Sequence, residues 1–169
     1  MELKSISSED IAQGEVQPET PPLQCQGWTV YFHQIFNLQF QHLVAQVKAL
    51  QTKLSKEKFV THTSVKQLKT LKSLITNTIP SNPEAQNFSL TGELKNFSRV
   101  KKMGLGSRYR LFFKVFPNEK KIFILWLGFP RRDGDKNDCY EVFKKYLSQG
   151  KISPDLEAIL AESSLYSSE

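Results

Sequence analysis

Apolar residues in the first half of the chain recur at spacings of three and four, the period of a helix that buries one face. One stripe consists of Phe36, Phe40, Leu43, Val47, Leu50 and Leu54. A second consists of Val65, Leu68, Leu71, Leu74, Ile75 and Ile79. Pro80 and Pro83 follow the second stripe and predict the end of its helix. The polar residues 55–58 separate the stripes, so we expect the two helices to pair as an antiparallel hairpin.

Farther along the chain the period changes to two, which is typical of strands. It predicts strands over 96–103, 108–116 and 120–127, and the apolar segment 27–32 predicts a short strand ahead of the first helix. The last of these strands is apolar on both faces, so we expect it in the centre of the sheet. Asp138 then predicts the N-cap of a C-terminal helix.

This order of elements predicts an α+β fold. A helical hairpin packs on one face of a twisted, mainly antiparallel β-sheet, and a C-terminal helix follows. The other face of the sheet is expected to be partly free and to carry basic side chains. The domain boundaries follow from composition: 1–24 is an acidic leader expected to be disordered, 25–162 a single domain, and 163–169 a flexible tail. The acidic ends either solvate the termini or cover the basic face.

Bulk composition fits a globular protein of 169 residues with 39% hydrophobic residues. No apolar run approaches the roughly 20 residues of a membrane span, and the first residues lack the apolar core of a signal peptide. The two cysteines, Cys25 and Cys139, are far apart and are expected to be reduced thiols. These features favour a cytoplasmic protein with no membrane partner.

Charge concentrates in the predicted sheet. Nine Lys/Arg and one acid, Glu119, lie between Lys95 and Lys121, whereas the net charge of the whole chain is only +6. Because these cations alternate with apolar residues, they are expected on a sheet face, which is typical of a site for a polyanion.

Two neighbouring strands carry the cations of greatest interest. Arg99 and Lys101 share one strand face, and Arg110 lies outward on the next strand together with Arg108. Cations this close repel one another, and an anionic ligand would stabilise them. The alternative is a solvated sheet edge whose charges prevent aggregation.

Other catalytic chemistry has little support in the sequence. None of the three histidines falls in the basic strands, and G-x-S-x-G, H-E-x-x-H and the P-loop motif are absent. Asp133, Asp135 and Asp138 cluster around Lys136, which favours a loop of solvated charges over a metal site. We therefore expect no metal and no cofactor.

RNA can be cut without a metal or a cofactor, because its 2′-OH can attack the neighbouring phosphorus. The reaction needs cations at the phosphate and groups that take and give a proton. Arginine and lysine supply the cations, and a lysine or a tyrosine can move the proton. Tyr140, at the start of the last helix, is a candidate, although it could equally be a packing residue.

The chain resembles the YhaV toxins of bacterial type II toxin–antitoxin systems, within the RelE/ParE superfamily. The resemblance runs from about Gly27 to Leu160. It is carried by Gly27-Trp28-x-x-Tyr31-x-His33-x-x-Phe36, Ser98-Arg99-Val100-Lys101, Arg108-Tyr109-Arg110-Leu111-Phe112-Phe113 and Cys139-Tyr140-x-Val142-Phe143. It implies a RelE-like fold, cleavage of mRNA at the translating ribosome, and neutralisation by an AbrB-like antitoxin.

The resemblance also implies residue roles. Catalytic positions fall on Arg99, Lys101, Arg110 and Tyr140. The loop cation of the family matches one of Arg131, Arg132 and Lys136, and these three, with Lys102 and Arg108, are expected to bind RNA. Arginine stands at position 99 where the family pattern has lysine. Since arginine keeps its proton, the general base must be Lys101, Tyr140 or a group of the substrate.

Two other functions stay open at this point. ParE-like toxins of the same superfamily poison DNA gyrase and lack the nuclease residues. An inactive paralogue would bind RNA or antitoxin through its basic face without cutting.

Overall fold

The computed structural model describes residues 21–163, which form a five-stranded mixed sheet with helices on both faces. The strands are β1 (Leu23–Cys25), β2 (Trp28–Phe32), β3 (Ser98–Val100), β4 (Arg110–Phe116) and β5 (Lys121–Gly128). Their order is β1-β2-β5-β4-β3. Only β2 and β5 run parallel; the other neighbours are antiparallel. The α+β class, the mainly antiparallel sheet and the central position of the last strand are confirmed.

The helices fall into two groups along the chain. The first group is α1 (Gln34–Lys53), α2 (Lys56–Thr61) and α3 (Thr63–Ser73), extended by a π-helical turn (Leu74–Thr78) and by α4 (Ile79–Ser81). The second group is α5 (Cys139–Ser148) and α6 (Leu156–Ser163). Two short 3₁₀ turns, Gln86–Phe88 and Gly92–Leu94, lie between α4 and β3.

The larger core lies between the sheet and the first group of helices. Helices α1 and α3 contact each other and bury Phe36, Phe40 and Leu71 against the sheet residues Leu111 and Phe113. Each of these side chains is at most 1% exposed. The predicted hairpin packing on one sheet face is therefore confirmed, and burial of these apolar groups is the main stabilising contribution.

The second sheet face is also covered, which corrects our expectation that it is partly free. Phe112, on the same face as Arg110, is fully buried, because Phe143 of α5 stacks on it with ring centroids 4.2 Å apart. Ile152 and Ile159 complete this smaller core. Arg99 and Arg110 lie at its margin, where α5 begins, whereas Lys114 is buried on this face over the rings of Phe97 and Phe116.

Several elements differ from the sequence prediction, and residues 56–58, which were expected to be a break between helices, begin α2. The second helix continues one residue past Pro80, because the π-helical turn directly before it accommodates a residue that would break a regular turn. Strand β3 ends early because Lys102 and Met103 adopt left-handed backbone. Strand β1 was not predicted; it pairs with β2 through Gln26 and Gly27, which both have positive φ.

The described residues include only part of the predicted leader and of the predicted tail. Strand β1 begins within the segment expected to be leader, and Ser163 is the buried last residue of α6. Residues 1–20 of the leader and 164–169 of the tail lie outside the described residues. Among residues 21–163, no helix has both the length and the apolar character needed to cross a membrane.

A buried histidine fastens α6 to the start of α1. His33 is fully buried, and its Nδ1 accepts a hydrogen bond from the backbone N–H of Ile35, capping α1. Its Nε2 lies 2.8 Å from Oε1 of Glu162. Because Nδ1 is an acceptor, the ring proton must be on Nε2, which donates to the carboxylate. Burial lowers the pKa of His33, although Glu162 opposes that shift.

We predict that this imidazole makes the fold weaken as the pH falls. The pKa of His33 is lower in the folded protein than in the unfolded chain. As the pH drops through about 6.5, the unfolded chain therefore binds a proton that the folded protein does not bind. Stability should therefore be full above that pH and decline below it. In His33→Asn, asparagine still caps α1. Its free energy of unfolding, measured with urea between pH 7.5 and 5.5, should change less with pH than that of the wild type.

The matched control is His42→Asn on the exposed face of α1, which should keep the wild-type slope. Equal slopes for wild type and His33→Asn would contradict the assignment.

Candidate active site

Tyr140 occupies the second position of α5, and three contacts fix it there. Its backbone N–H donates to Oδ2 of Asp138, the N-cap, at 3.0 Å. Its ring meets that of Phe112 edge-on, with centroids 5.5 Å apart. The preceding residue, Cys139, is fully buried and donates its N–H to the carbonyl of Pro130. The predicted N-cap is confirmed, and the phenol oxygen is directed to the edge of the sheet.

Two strand arginines converge on this phenol oxygen. Nε of Arg99 lies 3.0 Å from it and Nε of Arg110 lies 3.2 Å from it. The arginines come from β3 and β4, which pair antiparallel with Arg99 opposite Phe112. Since Arg110 lies two residues before Phe112, both side chains are on the same face. The expected juxtaposition of these two cations is present.

Backbone oxygens hold the other end of each guanidinium. Nη1 of Arg99 donates to the carbonyls of Asn87 and Ser89, at 3.0 and 3.4 Å. Nη1 of Arg110 donates to those of Ser107 and Tyr109, at 3.0 and 2.8 Å. Within residues 21–163, neither Nη2 has a hydrogen-bond partner. Each arginine is thus fixed at two nitrogens and has a third that can bind an anion.

A third arginine reaches Tyr140 from the loop before α5. The guanidinium carbon of Arg131 lies 5.0 Å from the centroid of the Tyr140 ring, within cation–π range. Nη1 of Arg131 donates to Oδ1 of Asp138 at 2.8 Å, and the hydrogen bond to this carboxylate raises the pKa of Arg131. Asp133 lies 3.6 Å from its Nη2. Of the three loop cations that the sequence left open, Arg131 is the one that contacts Tyr140.

The other predicted site residues make no hydrogen bond, ion pair or ring contact with Tyr140 within residues 21–163. Lys101 and Lys102 follow β3 and are exposed; in the described part of the chain neither has a hydrogen bond or an ion pair. Arg108 lies over the ring of Phe129, and Arg132 pairs loosely with Asp135 at 3.9 Å. Lys136 lines an open cavity described below.

The cavity beside Tyr140 is mainly acidic. Its volume is about 360 Å³. Arg131 and Lys136 are its cations, and its carboxylates are Asp133, Asp135, Asp138 and Glu141. Carboxylates in excess disfavour a phosphate there. An anion is therefore better placed at Arg99 and Arg110, whose Nη2 groups have no hydrogen-bond partner among residues 21–163.

Sequence reasoning missed the second role of Asp138, which binds Arg131 and also accepts a hydrogen bond from the backbone N–H of Arg132. The only signal was an acid seven residues after a base, which is too weak to use. The sequence also predicted no role for Cys139. Burial, reinforced by Asp138, raises the pKa of this thiol to about 11, so it is a packing residue rather than a nucleophile.

Comparison with known proteins places the chain among toxins. The model of a family described as a toxin with endonuclease activity, of a toxin–antitoxin system, matches residues 30–164. "Toxin YhaV" of Escherichia coli O6:H1 is 36% identical over 149 residues, covering 83% of this chain and 95% of that protein. "Ribonuclease toxin YhaV" of E. coli strain K12 matches with the same identity and coverage. No solved structure matches the chain.

We predict that the Arg131–Asp138 contact is energetically coupled. Asp138→Asn keeps the helix cap and loses the charge that holds Arg131. In a double-mutant cycle with Arg131→Met, urea unfolding should give a coupling of about 1–2 kcal/mol, since the Arg131 side chain is 29% exposed and that of Asp138 is 5% exposed.

The exposed pair Lys144–Glu141 on α5 is the matched control, with side chains 39% and 48% exposed. Its coupling should stay below about 0.5 kcal/mol. If both pairs give the same small value, Asp138 does not hold Arg131 in solution.

Proposed function

The chain belongs to the YhaV toxin family, and we propose that it is an endoribonuclease toxin that cuts mRNA at the site around Tyr140. One observation carries the proposal. The guanidinium groups of Arg99 and Arg110, from two neighbouring strands, meet at a single phenol oxygen and keep an unused N–H group each. This arrangement provides positive charge and a proton-bearing group at one point, which is what phosphodiester cleavage requires.

The proposed reaction uses the RNA's own nucleophile. The 2′-oxygen forms a bond to the adjacent phosphorus while the bond from phosphorus to the 5′-oxygen breaks. The products are a 2′,3′-cyclic phosphate and a 5′-hydroxyl end. Nη2 of Arg99 and of Arg110 would bind the non-bridging oxygens and stabilise the charge that develops on them.

Tyr140 is suited to protonate the leaving oxygen. Its phenol oxygen already accepts two N–H bonds, so its O–H proton remains to be donated outward. Arginine does not give up its proton, so we assign removal of the 2′-proton to Lys101. This lysine lies two residues beyond Arg99 and its side chain is exposed.

The partners follow from the kind of protein. As a ribonuclease toxin of a toxin–antitoxin system, the protein has RNA as its substrate and an antitoxin as its inhibiting partner. The resemblance to the family supports an AbrB-like antitoxin, cleavage of mRNA at the ribosome, and a cytoplasmic location. The basic region between Lys95 and Lys121 supports an anionic substrate.

We predict that Arg110→Ala abolishes growth arrest on induction. The substitution removes a donor to the phosphate and the support of Tyr140, and one such donor contributes on the order of 3–4 kcal/mol, or 10²–10³ in rate. Mapping transcript 5′ ends after induction measures cleavage directly.

The matched control is Lys53→Ala, at the end of α1. It also removes one positive charge, but at a position distant in the sequence from the site, and should arrest growth like the wild type. Circular dichroism checks that both variants fold. A folded Arg110→Ala protein with full toxicity would refute the assignment. DNA damage with intact messages would point instead to a gyrase poison.

Tyr140→Phe should lower the cleavage rate by roughly 10²–10⁴. The ring that packs on Phe112 is kept and only the hydroxyl is lost. The purified enzymes are compared on a single-stranded RNA whose 5′-oxygen at the cut is replaced by sulfur. Sulfur leaves without protonation, so this substrate should restore part of the rate of Tyr140→Phe, in which the two arginines also lose their shared acceptor, and should restore none of the rate of Arg110→Ala. Failure of the rescue in Tyr140→Phe would argue against the general-acid role.

A further inference from the structure

An exposed aromatic ring lies beside the site and has no part in the chemistry above. Phe129 directly follows β5 and is 48% exposed. Its ring stacks on that of Tyr109, with centroids 4.6 Å apart and planes inclined by 27°. The guanidinium carbon of Arg108 lies 4.9 Å from the centroid of Phe129. A single exposed phenylalanine carries little information, but here two stacked rings and a guanidinium over one of them form an ordered stack of planar groups.

We propose that these three residues, the Arg108–Tyr109–Phe129 platform, stack an unpaired base of the RNA next to the scissile phosphate. The proposal rests on the proposed function, because it adds a base subsite to the same substrate. Proteins recognise single-stranded RNA by stacking its bases on aromatic rings and guanidinium planes. Phe129 would thereby be a positioning residue that sets which phosphate reaches Tyr140.

The backbone ties the platform to the site. The N–H of Arg131 donates to the carbonyl of Arg108 at 2.9 Å, just beyond the last paired residues of β4 and β5, Arg110 and Gly128. Phe129 and Arg131 are two residues apart, so their Cα atoms are separated by at most about 7 Å. Tyr109 packs against the larger core and Tyr140 against the smaller one, so the platform and the site lie on the two faces of the sheet edge. Arg131 joins them, because its guanidinium lies over the Tyr140 ring.

Gly106 supports the platform from the loop before β4. A Cβ atom at this position would lie 3.1 Å from the Tyr109 ring, so only glycine lets the loop close on that ring without displacement. The N–H of Tyr109 also donates to the carbonyl of Gly106, at 2.9 Å. The aromatic pair is therefore held in place before RNA arrives, which lowers the entropic cost of binding.

The surroundings favour RNA over an apolar protein segment as the occupant. Arg108 places a cation on the platform itself, and its carbonyl accepts a hydrogen bond from the backbone N–H of Arg131, a second cation. An apolar segment would have to desolvate these cations, whereas RNA offers them phosphates and offers Phe129 a base.

The test uses a short single-stranded RNA with 2-aminopurine beside the mapped cut, and 2′-deoxyribose at the attacking nucleotide so that it binds uncut. Wild type should quench the fluorescence as the base stacks. Phe129→Leu should lose the quenching and bind roughly 5- to 150-fold more weakly, and Phe129→Trp should restore both. Leu38→Ala, at an exposed apolar position on α1, is the matched control and should match wild type.

Each outcome decides one question. Wild-type quenching and affinity in Phe129→Leu would overturn the platform, and so would a loss that Phe129→Trp does not restore in a folded protein. Cleavage of the unmodified RNA is measured in parallel. If wild type binds and quenches but does not cut, the proposed function fails and the platform stands as an RNA-binding surface. If the RNA does not bind and an antitoxin peptide binds wild type but not Phe129→Leu, the occupant is protein and the proposal is wrong.

Discussion

The phenol oxygen of Tyr140 accepts hydrogen bonds from Nε of Arg99 and of Arg110, and the arrangement of the site depends on this shared acceptor. The two bonds fasten helix α5 to strands β3 and β4. Without them, backbone carbonyls would still hold Nη1 of each guanidinium, but the two mutually repelling cations would have no shared acceptor. With them, the two guanidinium groups meet at one oxygen, and each keeps an Nη2 group that has no hydrogen-bond partner among residues 21–163.

The packing beneath explains why that acceptor is rigid. Phe143 stacks on Phe112 and presses α5 onto the sheet, and Phe112 in turn meets the ring of Tyr140 edge-on. Asp138 caps α5 and simultaneously binds Arg131 over the same ring. The buried aromatic stack thus fixes the position of α5. The carboxylate of Asp138 caps the first turn of this helix and also fixes the position of Arg131. This is the preorganisation that electrostatic catalysis requires.

Much of this arrangement was readable from the sequence, because it follows from periodicity. Alternation placed Arg99 and Arg110 on one face of adjacent strands, and capping chemistry identified Asp138. Periodicity indicates which face a residue is on and not what covers that face, so the burial of Phe112 under α5 was missed. A loop has no period, which is why the sequence could not separate Arg131 from Arg132 and Lys136. The left-handed backbone of Lys102 and Met103 contradicts local preference and had no signal at all.

The central claim is that Arg110 and Tyr140 act together on one phosphodiester. The most direct measurement is the single-turnover cleavage rate of wild type, Arg110→Ala, Tyr140→Phe and the double variant on one RNA. Groups that touch and serve the same transition state are strongly non-additive. The account predicts that the double variant is little slower than the slower single variant. A double-variant loss equal to the product of the two single losses would contradict it.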